Sequence, residues 1–158
     1  FTCLTFDDVA ASVFYNAYPL LEQYQISFTL FVSCSLLDMP GYITKRMLRE
    51  MAMSSLCTVG SHGFAHSFIR EMSRCDAKAD LEKSKSKLED IVGREVDLYA
   101  FPYGSFYACG YDNLKLAGEI YRFGFGTVSS PLTSPCLFPR YFLPREAVTN
   151  TNIGKISK

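Results

Sequence analysis

"LTFDDVAAS", residues 4–12, joins an apolar run to the start of a helical pattern, and two adjacent aspartates, Asp7 and Asp8, stand at the junction. Neighbouring carboxylates repel, and each asks for water or a counter-charge. An aspartate ahead of a helix is also a good N-cap and favours the positive end of the helix dipole. The stretch thus has two readings, a helix start or the carboxyl end of a strand where acidic chemistry is gathered. The rest of the chain decides between them.

Outward from this junction, apolar, β-branched or aromatic runs recur at residues 1–6, 27–32, 58–60, 96–101 and 121–127. Between them, Val13, Ala17, Leu20, Leu21 and Tyr24 fall on one helical stripe, and Ala77, Leu81, Ser84, Leu88 and Ile91 on another. The second stripe is backed by the charges of "EKSKSK" and followed by Gly93, placed as a C-cap. Further helices are expected near residues 44–53 and 112–121. Strands alternating with helices predict crossover connections and a largely parallel sheet. In such folds function collects at the carboxyl ends of the strands, which is where Asp7 and Asp8 fall. Beyond Thr127, prolines at 131, 135, 139 and 144 exclude a long helix and predict a loop followed by a short extended segment. With no internal repeat or low-complexity tract, residues 1–158 read as one domain. The chain opens without Met inside an apolar run, as a domain cut from a longer protein does.

Composition narrows the function. The 158 residues are 48% hydrophobic and 20% charged, with 16 basic and 16 acidic side chains. That balance excludes a disordered chain and gives no bulk field toward nucleic acid. No uninterrupted apolar segment reaches the roughly 18 residues of a membrane helix. The six cysteines, at 3, 34, 57, 75, 109 and 136, show no C-x-x-C pair and no metal-finger spacing. They read as core thiols, which leans toward an anaerobic source or a reducing compartment, the cytoplasm over the cell envelope.

Only two histidines exist, both in "VGSHGFAHSF". His62 and His66 are four apart, so on a helical turn they share a face and reach one metal ion. A third ligand would come from another strand end, with an aspartate as the oxygen donor. In "TFDD", one carboxylate then coordinates while its neighbour acts as a base on water, and a divalent cation makes the adjacent charges tolerable. In "YAFPYGSF", Pro102 fixes the backbone and Gly104 permits a tight turn that aims a backbone N–H into the site; the same pattern also suits a plain aromatic turn. Arg145 in "FLPREAV" is either a surface ion pair or the partner of a cleft carboxylate. Phe64, Phe106, Tyr107 and Tyr111 are candidates for a sugar-stacking surface, with core packing as the alternative.

Taken together and in order, "LTFDD", "GSHGFAH", "FPYG" and "LPRE" resemble the polysaccharide deacetylases, the NodB-homology domain of carbohydrate esterase family four. The resemblance runs from Leu4 to about Val148 and includes "YPLLEQYQISFTLFV", similar to the family's second strand and its preceding helix. It implies an α/β fold, a distorted or incomplete (β/α) barrel of about seven parallel strands. It also implies one divalent metal ion, usually zinc, with cobalt or nickel as substitutes, and an N-acetylated glycan or oligosaccharide as substrate, from which acetyl groups are removed. By position, Asp7 resembles the family's catalytic base, while Asp8, His62 and His66 resemble its metal ligands. The Tyr103 N–H would help hold the oxyanion, and Pro102, Tyr103 and Phe106 would border the substrate. Two departures stand out. Ala100 occupies a position where many members carry an arginine that braces the base, and no histidine follows His66 to protonate the departing amine. Arg145 is expected to take over the missing brace. An O-acetyl esterase, which needs no amine protonation, and a non-catalytic sugar-binding domain are the alternatives.

Overall fold

The computed structural model describes residues 3–130 and 139–149; Phe1, Pro131, Pro135 and Cys136 lie outside the described residues. Five parallel strands, β1 (Leu4–Asp7), β2 (Phe28–Val32), β3 (Cys57–Ser61), β4 (Leu98–Ala100) and β5 (Phe123–Phe125), form one sheet in sequential order. Helices return the chain between them: α1 (Tyr18–Gln23), α2 (Lys45–Ala52), α3 (Arg74–Val92), α4 (Phe106–Cys109) and α5 (Tyr111–Ile120). Every residue of β2 is buried, as expected for a central strand covered on both faces. Sequential order with parallel pairing curls the sheet into a partial barrel, the architecture expected from the sequence, with every strand's carboxyl end on one rim.

The described residues hold five strands rather than about seven. Past β5 the described residues make a single parallel bridge, Phe125 to Leu143. Pro139 and Pro144 flank that bridge and have no N–H to extend a ladder. Between β1 and this segment the barrel is open, with an apolar cavity of about 840 Å³ lined by Phe6, Phe31, Leu98 and Phe125. Arg145 spans the opening: its Nε donates to Gly126 O at 3.0 Å and its Nη1 to Thr5 Oγ1 at 3.2 Å.

Two helical expectations separate here. The α3 stripe Ala77, Leu81, Ser84, Leu88 and Ile91 is buried throughout, Ser73 caps its start, and Gly93 ends it in the left-handed conformation. The first stripe fails, because Leu20 and Tyr24 are exposed while Val13 and Leu21 are buried. Residues Val13–Ala17 form a π turn, with Tyr18 N–H donating to Val13 O. Pro19 follows at once; it lacks an N–H and would clash with the carbonyl four residues back in a regular helix. The wider turn shifts the helical phase, so Leu20 and Tyr24 face solvent while Leu21 stays buried. The cysteine expectation also holds only in part: Cys34, Cys57 and Cys109 are buried free thiols, whereas Cys3 and Cys75 are exposed.

Candidate active site

Asp7 ends β1 and Asp8 follows in the left-handed region at φ 60°, with Val9 behind it at φ 56° and fully buried. Neither aspartate caps a helix; the helical segment starts several residues later with no side-chain cap. A β-branched residue at positive φ is strained, and at this left-handed turn the two neighbouring carboxylates face different partners. Asp7 turns to Arg145, whose Nη1 and Nη2 donate to its Oδ1 and Oδ2 at 2.6 and 2.8 Å. Asp8 turns to the histidines.

His62 and His66 do not lie on a helix. β3 ends at Ser61, and both imidazoles project from the loop that follows, with His66 at φ 53°. A strand end followed by Gly63 at φ +79° reverses the chain sharply enough to bring the rings to 5.0 Å between centroids. The loop is pinned from two sides. Cys34 N–H and Ser35 N–H donate to Gly63 O and Phe64 O, and the Asp80 carboxylate of α3 accepts from Phe64 N–H at 2.8 Å and Ala65 N–H at 3.2 Å. Asp80 was not singled out in the sequence, where it passes for one more charge on the polar side of α3.

The three side chains converge. Nε2 of His66 lies 3.3 Å and Nε2 of His62 3.9 Å from Asp8 Oδ1, and one ligand atom from each of the three residues falls within 4.8 Å of the other two. Asp8 Oδ1 is buried without a hydrogen-bond partner, an arrangement that costs free energy unless a cation meets it. His62 is 3% exposed and its Nδ1 sits 2.7 Å from Ala100 O. Donation of the Nδ1 proton to that carbonyl leaves the Nε2 lone pair facing Asp8 and His66, the usual outer-shell device for orienting a metal-binding imidazole. Burial pushes the His62 imidazole below its ordinary pKa, with Asp7 and Asp8 opposing, so the ring favours its neutral, coordinating form. The donor set of two imidazoles and a carboxylate suits zinc and neighbouring divalent ions.

The turn after β4 completes the rim. Tyr103 is at φ 63°, Gly104 N–H closes the turn on Phe101 O at 3.0 Å, and the Tyr103 ring rests 5.1 Å from that of His66. Among the described residues, the Tyr103 N–H has no acceptor. A Cβ on Gly104 would stand 2.4 Å from Thr127 Cγ2, so the turn admits only glycine. Pro102 is buried beside Gly63. Its buried ring packs inside the turn that carries Tyr103. Phe106 is exposed and packs edge-on against Phe142. Phe64 leaves the site, its ring covered by Lys83 Nζ at 3.9 Å.

Because Asp80 satisfies two amides of the histidine loop, Asp80→Ala is expected to weaken zinc binding about 10- to 100-fold, the usual effect of losing an outer-shell partner. Zinc titration by calorimetry checks this; unchanged affinity would show that the loop holds without Asp80.

The partial parallel barrel has counterparts among known proteins. The structure of Streptococcus pyogenes deacetylase PplD superposes with a TM-score of 0.83 at 22% identity, covering 92% of this chain and 63% of that one. The BpsB deacetylase domain from Bordetella bronchiseptica gives 0.79 at 21% identity, covering 91% and 69%. At these identities the likeness concerns the fold. In sequence, a Staphylococcus aureus poly-β-1,6-N-acetyl-D-glucosamine N-deacetylase is 24% identical over 160 aligned positions, covering 93% of this chain and 54% of the relative. The chain thus spans about half the length of that relative. The family model for polysaccharide deacetylase matches residues 2–118, from the strand that carries Asp7 and Asp8 through the histidine loop and the tyrosine turn, and the chain belongs to that family.

Proposed function

We propose that the chain is a metal-dependent hydrolase that removes acetyl groups from N-acetylated sugars of a polysaccharide, with N-acetylglucosamine polymers as the first substrates to try. The reading is carried by the Asp8, His62 and His66 cluster, with its unpartnered buried carboxylate oxygen, placed directly beside an arginine-held Asp7. Asp8, His62 and His66 would hold the ion. When bound, it supplies Lewis acidity toward the acetyl carbonyl and makes water a better nucleophile at neutral pH.

The remaining work falls to the chain's own groups. Asp7 accepts the proton of the attacking water. Arg145 occupies one lone pair on each Asp7 oxygen and so fixes the carboxylate plane while leaving acceptor sites open. The Tyr103 N–H donates to the oxygen that gains charge as the carbonyl carbon becomes tetrahedral. Collapse breaks the C–N bond, acetate leaves, and the sugar amine takes up the proton returned by Asp7.

Both histidines of the sequence belong to the cluster, so neither is free to protonate an amine. That observation favours a second reading, O-acetyl ester hydrolysis, since an alkoxide leaves more easily than an amine. Acetate release from N-acetylglucosamine oligomers and from an acetyl ester, with and without chelator, separates the two. Chelator-sensitive release from the oligomers supports the first, release from the ester alone supports the second, and release untouched by chelator contradicts both.

Arg145→Ala is expected to lower turnover about 100-fold while zinc affinity stays within a few-fold, because a carboxylate free to rotate loses its alignment with water. Arg145→Lys should not restore it, since an ammonium cannot hold both oxygens. Unchanged turnover in the alanine variant would reduce Arg145 to a seam-closing ion pair.

A further inference from the structure

Ser84 lies on the buried stripe of α3 between Leu81 and Leu88, a face that otherwise carries apolar side chains. Its hydroxyl belongs to a line of polar groups that ends under the histidine loop. Gly63 N–H donates to Ser61 Oγ at 3.1 Å, Ser61 Oγ donates to Ser84 Oγ at 3.0 Å, and Ser84 Oγ lies 3.0 Å from the hydroxyl of Tyr121, which stands between α5 and β5. The Tyr121 hydroxyl donates to Leu81 O at 2.9 Å, and Ser84 Oγ lies 2.9 Å from the same carbonyl.

Each hydroxyl has one proton to give. With Ser61 giving to Ser84, Ser84 to Tyr121 and Tyr121 to Leu81 O, every donor is used once and the line runs one way, from the Gly63 amide to the backbone of α3. Ser61, Ser84 and Tyr121 are all buried, and burial pushes the Tyr121 phenol above its ordinary pKa, which keeps it a donor. Buried groups linked in this way strengthen one another, and the loss of one leaves its neighbours unpaired.

The place where the line ends gives it a use. Gly63 is the turning residue between the two imidazoles, at φ +79°. Its carbonyl is held by Cys34 N–H, and the two amides after it are held by Asp80. Only the hydroxyl line holds the Gly63 N–H, and it does so from inside the core.

We infer that Ser61, Ser84 and Tyr121 are positioning residues for the metal ligands: their buried hydroxyl line fixes the Gly63 amide and, through it, the angle at which His62 and His66 face Asp8. Tyr121 thus acts on a site it does not touch. The inference rests on the metal reading above, whereas the anchoring of the loop does not.

The test combines zinc titration by calorimetry with hydrogen exchange of the Gly63 amide in the metal-free full chain, read by NMR. Ser84→Ala should lower zinc affinity about tenfold and speed Gly63 exchange by a similar factor. Tyr121→Phe, which removes one oxygen and keeps the ring, should cost about three- to tenfold in zinc affinity, as the loss of one hydrogen bond does. The double variant should lose no more than Ser84→Ala alone, to within about twofold, because Tyr121 reaches the loop only through Ser84. Thr44→Ala, which removes the cap of α2 far along the chain from the line, should lower stability and leave zinc affinity unchanged. Wild-type zinc affinity in both Ser84→Ala and Tyr121→Phe overturns the inference. So do losses that multiply in the double variant, or an equal loss in Thr44→Ala. Faster Gly63 exchange in the variants of a protein that binds no zinc supports the anchor and contradicts the metal reading, whereas zinc binding with neither readout moved does the reverse.

Discussion

On the proposed function, replacing Asp7 with asparagine is expected to lower acetate release about a thousandfold while zinc stays bound. The carboxamide keeps the shape of the side chain and one oxygen to accept from Arg145, so the β1 end and the barrel seam stay in place. What disappears is the group proposed to take the proton from water, and removal of a general base costs about 10²- to 10⁴-fold. Asp7 belongs to no part of the three-residue cluster, so metal affinity should be nearly unmoved. Acetate assay and metal titration on the same preparation check both halves. A variant that turns over normally would remove Asp7 from the chemistry, and one that lost its metal would make Asp7 a ligand.

Asp8→Asn is the second large effect, and it has opposite signs in two states. Zinc affinity should fall by more than the roughly 100-fold expected for an outer-shell residue such as Asp80, because a charged member of the cluster proposed to hold the ion is lost. Asparagine tolerates the left-handed backbone that Asp8 adopts, so the fold should persist. In the metal-free protein the unpartnered buried Asp8 oxygen is a liability, so the substitution should not lower the melting temperature there. In the presence of excess zinc, wild type should gain stability by ligand linkage and the variant should gain little. Melting curves with and without zinc read the difference. Equal zinc-induced stabilisation of both proteins would take Asp8 out of the metal site.

Most of the site was legible because its chemistry is concentrated in short stretches. Asp7 and Asp8 are adjacent, the only two histidines stand four apart, and the alternation of strands and helices places both stretches at the same rim. The geometry by which they meet was not legible. A spacing of four suggested a helical turn, yet the histidines occupy a loop, since a glycine and a left-handed residue can bring two rings together over the same separation. Ala100 illustrates a second limit. As a side chain it looked like a missing arginine, whereas its contribution is a backbone carbonyl to His62, which no side-chain pattern reveals. Asp80 was hidden because a carboxylate that accepts from a distant loop and one that faces water look the same on a helical wheel. The phase of the first helix was lost at Pro19, where a wider turn inserted one residue. Arg145 lies 138 residues from Asp7, and only the family resemblance tied the two together.

The most direct measurement is acetate release from an N-acetylglucosamine oligomer as zinc is titrated into metal-stripped protein, with bound zinc counted in the same samples. The account predicts no release from the stripped protein and a rise that saturates as the first ion per chain binds. Release at full rate before any zinc is bound, or one bound ion per chain with no release from the oligomer, would contradict it.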